Sequence, residues 1–220
     1  FDVCDRVKMS SALAAANPDL VINTTAFSQV DLCESRKQDA FAVNALAVFD
    51  MAIIANQVGA KLVHISTDYV LSGDGTEFLD ETAVPLPKSV YASSKLAGEY
   101  IVRNVAERYL LIRTCGLYGT GRTVEKGMAF PELILKKARA GDPIQVVDDQ
   151  IVTPTWTADL ARQIDVMLGA DLDGLVHASA GGSCSWYEFA CCVLEMYGTD
   201  AAIEPTTSQA YNSPAKRPAY

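Results

Sequence analysis

The sequence has no long apolar run, no positively charged leader and no paired-cysteine motif. No stretch approaches the roughly 18 consecutive apolar residues of a membrane-spanning helix, so we expect no membrane partner. The six cysteines are never spaced as C-x-x-C, which argues against a zinc site, and we read them as small buried apolar residues. Free thiols and the lack of a secretion signal lead us to expect a cytoplasmic protein.

Positive charge is also scarce, with 18 Lys and Arg residues against 27 Asp and Glu residues and a net charge of −9. A nucleic-acid-binding protein presents a basic surface, so we expect no nucleic-acid partner. Any phosphate-bearing ligand must be held by local donors instead of a general positive field. The 220 residues are enough for one large domain with a substantial core.

Strand-like and helix-like segments alternate through the first half of the chain. This alternation predicts an α/β fold whose parallel strands are joined by right-handed helical crossovers. The predicted helices are Arg6–Ala16, which Asp5 caps, Asp39–Val58, which Gly59 closes, and a helix through Tyr91 that ends near Asn104. The predicted strands are Leu20–Asn23, the segment from Lys61 to Ser66, and Tyr109–Ile112, with a loop at 24–34.

The alternation loosens after Gly119, so we divide the chain into residues 1–119 and a smaller lobe of residues 120–220. Some segments of this lobe are expected to return to the first domain. Ser185 and Glu188 match the S-x-x-E capping box and predict a helix that runs to Tyr197. The other predicted elements of the lobe are helices at 131–140 and 157–168 and strands at 144–147 and 174–178.

Tyr91 and Lys95 are the most informative pair of residues. They are four positions apart, so both side chains lie on one face of the predicted helix. An ammonium beside a phenol favours the phenolate and lowers the tyrosine pKa, which suits proton exchange with a carbonyl oxygen. Thr67 follows an apolar strand, where open α/β sheets place ligand-binding groups. The alternative is an ordinary solvated pair, which helices often contain at this spacing.

Longer motifs accompany this pair, and with them the chain resembles the extended short-chain dehydrogenase/reductase family. The S-T-D and Y-x-x-x-K elements mark the broad family. Within it the chain looks like the dTDP-4-dehydrorhamnose reductases, and the resemblance covers essentially the whole sequence. The motifs that carry it include VINTTAFSQVDLCE (21–34), LVHISTDYVLSG (62–73), YASSKLAGE (91–99), GSCSWYEFA (182–190) and AKRPAY (215–220).

The resemblance implies a Rossmann-type doubly wound sheet that binds NADPH or NADH, and a catalytic set of three residues. Tyr91 would protonate the C4 keto oxygen of a dTDP-sugar, dTDP-4-dehydro-6-deoxy-L-mannose, as hydride arrives. Lys95 would lower the Tyr91 pKa and bind the nicotinamide ribose. Thr67 would orient the carbonyl, and Asp68 would lie beside it against the sugar.

The resemblance also implies two groups of binding residues. The cofactor would contact Asp2 and Val3 on the adenine side and Ala26, Phe27 and Ser28 along its middle. Val30 would face the sugar nucleotide, and Gly116 stands at a substrate-contacting position where the family often has tryptophan. Without the resemblance, Ala26 and Val30 would be assigned to core packing. Likewise, His64 lies inside an apolar strand and reads as a hydrogen-bonded core residue.

A second departure from the family concerns the start of the chain. No G-x-x-G-x-x-G loop precedes Asp2, although this loop holds the cofactor pyrophosphate in the family. Residues 1–4 read as the tail of a strand, and in the family order 3-2-1-4-5-6 the missing strands would leave a gap in the sheet. We therefore expect an N-terminally truncated fragment with weak or no cofactor binding by itself.

Several alternatives stay open. The regulatory β subunit of methionine adenosyltransferase has the same fold without turnover, and other nucleotide-sugar reductases, epimerases and dehydratases share the Y-x-x-x-K pattern. In dehydratases more than one acidic residue usually follows the threonine directly, whereas here Asp68 is followed by Tyr69. Some family members use Mg²⁺ between subunits, but no ligands for it can be assigned in this sequence. A homodimer is also left open.

Overall fold

The computed structural model describes residues 1–73, 78–120 and 128–219 of the chain. Its centre is a four-stranded sheet in which every neighbouring pair of strands runs parallel. In their order across the sheet, the strands are β1 (Leu20–Asn23), β2 (Lys61–Thr67), β3 (Tyr109–Thr114) and β8 (Gly174–His177). Parallel strands need crossover connections, and helices supply them here. The predicted α/β fold with a parallel sheet is confirmed.

Helices fill the connections in the first half of the chain. They are α1 (Arg6–Ala16), α2 (Val30–Ser35), α3 (Lys37–Phe41), α4 (Ala47–Gln57) and α5 (Val90–Val105). The Asp5 carboxylate accepts a hydrogen bond from the Lys8 N–H, so the predicted cap of α1 is confirmed. A π-helical turn, Ala42–Leu46, joins α3 and α4 into one long helix.

Helix α2 overlaps the stretch 24–34 that we predicted to be a loop, so this prediction is wrong over residues 30–34. With six residues, α2 is too short to be stable by its own propensity. Distant contacts hold it instead, because the Asp31 carboxylate accepts from the Ala215 N–H at 3.1 Å and from the Arg217 guanidinium at 2.8 Å. We call this contact between α2 and residues 215–217 the Asp31–Arg217 clamp.

The second half contributes a smaller lobe beside the sheet. Helices α6 (Phe130–Ala140) and α8 (Trp186–Met196) pack on a parallel pair of strands, β5 (Ile144–Val147) and β10 (Ile203–Thr206). Sequence reasoning located all of these except β10, and the capping box of Ser185 and Glu188 is present as predicted. The remaining elements are β4 (Leu117–Tyr118), β6 (Ile151–Val152), β7 (Thr155–Trp156), α7 (Thr157–Gly169), β9 (Cys184–Ser185) and α9 (Ser208–Tyr211).

Apolar side chains cover both faces of the parallel sheet. On one face Leu62 and Leu111 pack with residues of α1, α4 and α5. On the other face Val63 and Ile112 pack with Leu160 of α7. A sheet covered on both sides by helices is the doubly wound, Rossmann-type arrangement. Its carboxyl edge, where ligands of such sheets bind, therefore becomes the place to look for a site.

The helix Lys37–Gln57 is, by its length and composition alone, long and apolar enough to cross a membrane. Half of its most apolar window is nevertheless buried inside the protein. Val48, Ala52 and Ala55 are at most 1% exposed, and they belong to the core cluster on the sheet. The apolar character of this helix is thus accounted for by packing in a folded domain.

The start of the described chain differs from our prediction. Residues 1–4 are not a strand tail: the Asp2 carbonyl accepts from the Asp5 N–H at 3.0 Å, and the Asp2 carboxylate accepts from the Cys4 N–H at 2.9 Å, which makes a turn. The predicted gap in the sheet is also wrong, because the four strands pair without interruption. The composition of residues 1–4 alone does not distinguish the end of a strand from a turn.

The cysteines are free thiols, but the prediction that they are buried holds only in part. Cys33 is buried, Cys115 is half-buried, and Cys4 and Cys192 are exposed. Exposure at the last two follows from their positions in the first turn of the chain and on the outer face of α8.

Candidate active site

Tyr91 and Thr67 meet at the carboxyl edge of the parallel sheet. Thr67 is the last residue of β2, and Tyr91 lies in the first turn of α5. The Ser89 hydroxyl accepts from the Ala92 N–H at 3.2 Å and begins α5 at this point. The Thr67 hydroxyl lies close enough to the Tyr91 phenol to lower its pKa. The structure thus brings together two of the three predicted catalytic residues in direct contact.

Asp68 extends this pair into a short chain of polar groups. The Thr67 hydroxyl donates to Asp68 Oδ1 at 2.9 Å and accepts from the Tyr69 N–H at 3.2 Å. Burial raises the Asp68 pKa to about 6, although the hydrogen bond from Thr67 opposes the shift. Asp68 is half-buried beside Thr67, and its contact with the sugar stays a prediction.

The pKa of Tyr91 moves in the direction opposite to our prediction. Burial raises it first, the nearby Asp68 charge raises it further, and the hydrogen bond with Thr67 lowers it only in part. The Tyr69 ring also packs edge-on against it, with centroids 6.0 Å apart. Tyr91 thus carries its proton at neutral pH, and a protonated phenol is the form that a proton donor needs.

Lys95 lies on the same face of α5 as Tyr91, yet its hydrogen bonds go to strand β2. Its Nζ donates to the Ile65 carbonyl at 2.7 Å and lies 3.5 Å from His64 Nε2. Burial lowers the Lys95 pKa to about 8, while the Glu99 carboxylate raises it. The predicted direct effect of this ammonium on the Tyr91 pKa is therefore wrong, because β2 engages the ammonium.

Asn44 fixes the loop that follows β1, and sequence reasoning missed it. Its Oδ1 accepts from the Phe27 N–H at 2.8 Å, and its Nδ2 donates to the Phe27 carbonyl at 3.1 Å and to Ser94 Oγ at 2.9 Å. The loop with Ala26, Phe27 and Ser28 is thereby tied to the helix of Lys95. An asparagine inside the apolar run AFAVNALAV was the available signal.

The other predicted binding residues are spread around this centre. Val30 begins α2 and lines an open surface cavity of about 410 Å³ together with Gln29 and Asp31. Asp2 and Val3 lie in the turn before α1, and within the described residues no hydrogen bond joins them to Thr67 or Tyr91. Their contact with a cofactor therefore stays a prediction.

Gly116 can offer only its backbone to a ligand. Its φ is +57°, and a Cβ there would lie 2.5 Å from the Thr153 carbonyl and 2.8 Å from Val152 Cγ2. The tryptophan of the family cannot be placed here without moving this backbone. Burial first and the Asp68 charge second raise the pKa of the neighbouring Cys115 thiol to about 11.

A buried ion pair lies behind the sheet edge. Glu99 and Arg113 are 1% and 3% exposed, and the guanidinium donates to both carboxylate oxygens, at 3.0 and 2.7 Å. Ser66 Oγ also donates to Glu99 at 2.6 Å. The pair thus links α5 to the ends of β2 and β3, next to Thr67.

The acidic residues of the smaller lobe have structural partners. The Asp148 carboxylate accepts from Ser185 Oγ at 2.5 Å, Asp149 accepts from the Ser208 N–H at 2.8 Å, and Glu188 completes the capping box. Within 1–73, 78–120 and 128–219, no group of three or more His, Cys, Asp or Glu residues could hold a metal ion. Support for Mg²⁺ is therefore lacking in this part of the chain.

Comparison with known proteins places this geometry in a family. The model of the RmlD substrate binding domain matches residues 1–220. The spore coat polysaccharide biosynthesis protein SpsK of Bacillus subtilis is 37% identical over 220 residues, which are 100% of this chain and 76% of that protein. A dTDP-4-dehydrorhamnose reductase of Streptomyces griseus is 36% identical, over 100% of this chain and 73% of its own length.

Solved structures agree with this assignment. The dTDP-4-dehydrorhamnose reductase of Bacillus anthracis, in complex with NADP, superimposes with a TM-score of 0.95 at 34% identity. The match covers 100% of this chain and 76% of that one. A UDP-glucose 4-epimerase of Thermus thermophilus, at 22% identity and a TM-score of 0.85, shows the same fold. The chain belongs to the RmlD substrate-binding domain family, the family of the dTDP-4-dehydrorhamnose reductases.

Proposed function

We propose that this chain carries the catalytic centre of an NADPH-dependent reductase. It would reduce the C4 keto group of dTDP-4-dehydro-6-deoxy-L-mannose to dTDP-L-rhamnose, in the cytoplasm. The observation that carries the proposal is the closeness of Thr67 and a protonated Tyr91 at the carboxyl edge of the sheet. The names of the relatives support a nucleotide-sugar ketone as the substrate.

The residues present fit the nicotinamide end of the cofactor. The buried Lys95 reaches the sheet edge beside Tyr91, and Asn44 holds the loop 26–28 against the same helix. Lys95 would bind the ribose, and this loop would lie along the middle of the cofactor. The nicotinamide supplies the hydride when it is bound. The 220 residues contain no Gly-rich G-x-x-G-x-x-G loop, so we assign none of them to the pyrophosphate of the cofactor.

The chemistry of the chain's own residues is proton supply and orientation. The Thr67 hydroxyl donates to Asp68 in the structure. Turned toward a bound substrate, the same O–H would donate to the carbonyl oxygen beside Tyr91. Tyr91 then donates its proton to the C4 oxygen as the alkoxide develops. Burial keeps the phenol protonated until that moment, because a phenolate in this environment is disfavoured. The half-buried Asp68 borders the sugar.

The test follows NADPH absorbance with dTDP-4-dehydro-6-deoxy-L-mannose as substrate. The assay uses the chain as it is and also the chain preceded by the Gly-rich strand, loop and helix of a relative. Tyr91→Phe keeps the ring and removes the donor, and we expect at least a hundredfold loss of kcat, in the range typical of general acids. Tyr100→Phe is the matched control, because Tyr100 is 50% exposed on the same helix.

Two outcomes would contradict the proposal. Turnover that is equal in Tyr91→Phe and Tyr100→Phe would remove the acid role from Tyr91. Cofactor binding without turnover of this sugar would refute the substrate, and the dTDP-4-keto-6-deoxy-D-glucose named for a relative in Streptomyces niveus would be assayed next. Parallel assays with NADH establish the choice of cofactor.

A further inference from the structure

Three buried polar side chains form a line behind the candidate site. Asn23 ends β1, His64 lies inside β2, and Lys95 lies on α5. Asn23 Nδ2 is 3.0 Å from His64 Nδ1, and His64 Nε2 is 3.5 Å from Lys95 Nζ. All three residues are at most 2% exposed. The proposed chemistry uses Lys95 but gives no task to Asn23 or His64.

The orientation of the Asn23 amide follows from its other contacts. Its Oδ1 accepts from the Thr25 N–H at 3.0 Å and from Thr25 Oγ1 at 2.7 Å. A backbone N–H can only donate, so the atom that faces it must be the amide oxygen and not the nitrogen. The NH₂ end of the amide must therefore face His64, and it can only donate to the ring.

This orientation determines which nitrogen of His64 carries the proton. Nδ1 accepts from the Asn23 amide, so in the neutral ring the hydrogen must be on Nε2. The ring is neutral, because burial first and then the Lys95 charge hold the His64 pKa well below its ordinary value. The Nε2–H group points toward Lys95, and an ammonium cannot accept a hydrogen bond from it.

We propose that Asn23 and His64 are positioning residues: the Asn23 amide fixes the imidazole tautomer, and the imidazole N–H that faces Lys95 lowers the pH up to which Lys95 keeps its charge. Only the task of Lys95 in turnover rests on the proposed function. The charged group that opposes this loss of the Lys95 proton is Glu99, one turn further along α5. Its carboxylate also binds Arg113 of β3. Burial of Lys95 lowers its pKa and so acts in the same direction as the imidazole N–H.

The proposal predicts a property of the pH profile. In the proposed reaction Lys95 acts as a cation, so activity falls as the pH rises through the Lys95 pKa. A protein in which Nε2 accepted a hydrogen bond from Lys95 would keep the ammonium to higher pH. The tautomer of His64 thus sets the upper limit of the active pH range.

The first experiment determines the tautomer in the unmodified protein. The sequence has two histidines, so two-bond ¹H–¹⁵N spectra of the imidazoles are simple, and His177→Gln identifies the signals of His64. We expect the neutral Nε2–H form from about pH 6 to pH 9. The Nδ1–H form or an imidazolium in this range would overturn the proposal, and neither result depends on enzymatic turnover.

The second experiment reverses the tautomer. Asn23→Asp has nearly the same shape but no donor, so it must accept from Nδ1–H, and Nε2 then accepts from Lys95. We expect the Nδ1–H form and a basic limb of the pH profile raised by roughly one unit. Asn104→Asp, on the exposed part of α5, adds the same charge and should leave the limb in place.

The outcomes separate this inference from the proposed function. A reversed tautomer with an unmoved basic limb would refute the link to Lys95. If Asn23→Asp does not fold, the His64 tautomer measured in the unmodified protein still tests the proposal. If that protein shows the Nε2–H form but reduces no nucleotide sugar, the inference about the tautomer holds and the proposed function fails.

Discussion

Gly98 allows a close approach between two helices next to the candidate site, and Gly98→Ala tests the importance of this approach. A Cβ at this position would lie 2.3 Å from the Asn44 carbonyl oxygen and 3.5 Å from His64 Nε2. The atom in the way belongs to the backbone of the π-helical turn, so it cannot rotate aside. The substitution must therefore push α5 away from the long helix Lys37–Gln57.

The expected magnitude follows from two opposing effects. Overpacking of this kind costs about 1–3 kcal/mol. An alanine in a helix interior is favoured over glycine by roughly 0.5–1 kcal/mol, which offsets part of that cost. We expect Gly98→Ala to lower the free energy of unfolding by about 1–2 kcal/mol, which corresponds to a Tm lower by roughly 2–8 °C for a chain of this size.

The assay is urea unfolding of the original chain, Gly98→Ala and a matched control. Gly169→Ala is that control, because Gly169 also lies in a helix and a Cβ there meets nothing within 4 Å. The control should be neutral or slightly stabilised. If Gly98→Ala is as stable as Gly169→Ala, with an unchanged m-value, the close crossing does not constrain the helices and our reasoning is refuted.

Two further predictions concern buried charges. The folded state holds the Asp68 proton up to about pH 6, well above the ordinary pKa of 3.8, so unfolding should become easier as the pH rises from 4 to 6. Asp68→Asn should remove this slope, whereas the exposed Asp19→Asn should keep it; equal slopes by denaturant unfolding would contradict the raised pKa. Glu99→Gln leaves the Arg113 charge buried without its partner, and we expect a loss of about 3–5 kcal/mol in the same assay. The exposed Glu107→Gln is its control, and a loss below 1 kcal/mol would show that the pair is dispensable.

Sequence reasoning predicted which element carries each residue of the candidate site, because local patterns hold that information. The spacing of Tyr91 and Lys95 places both on one helix face, and the apolar run before Thr67 places it at a strand end. Partners far apart in the chain were not predictable in this way. Asn44 binds Phe27, 17 residues away, and Ser94, 50 residues away, and only the packed fold brings them together.

The pKa of Tyr91 shows the same limit. The sequence suggested an ammonium beside the phenol, but the structure directs the Lys95 ammonium to the Ile65 carbonyl. Burial and the Asp68 charge then decide the direction of the shift. Both depend on how deeply the site is enclosed, and spacing along one helix does not encode that depth. The last position of the AKRPAY motif, Tyr220, lies outside the described residues.

The Asp31–Arg217 clamp has a consequence for the order of events during synthesis. Its two residues are 186 positions apart, and one of them holds the short helix on which Val30 lies. At about 5–20 residues per second, a ribosome adds Arg217 roughly ten to forty seconds after Asp31. Throughout that interval α2 lacks its anchor, so the nascent chain cannot present the finished surface cavity that Val30 lines. The wall of the site near Val30 is therefore assembled late, after the sheet that supports it has been made.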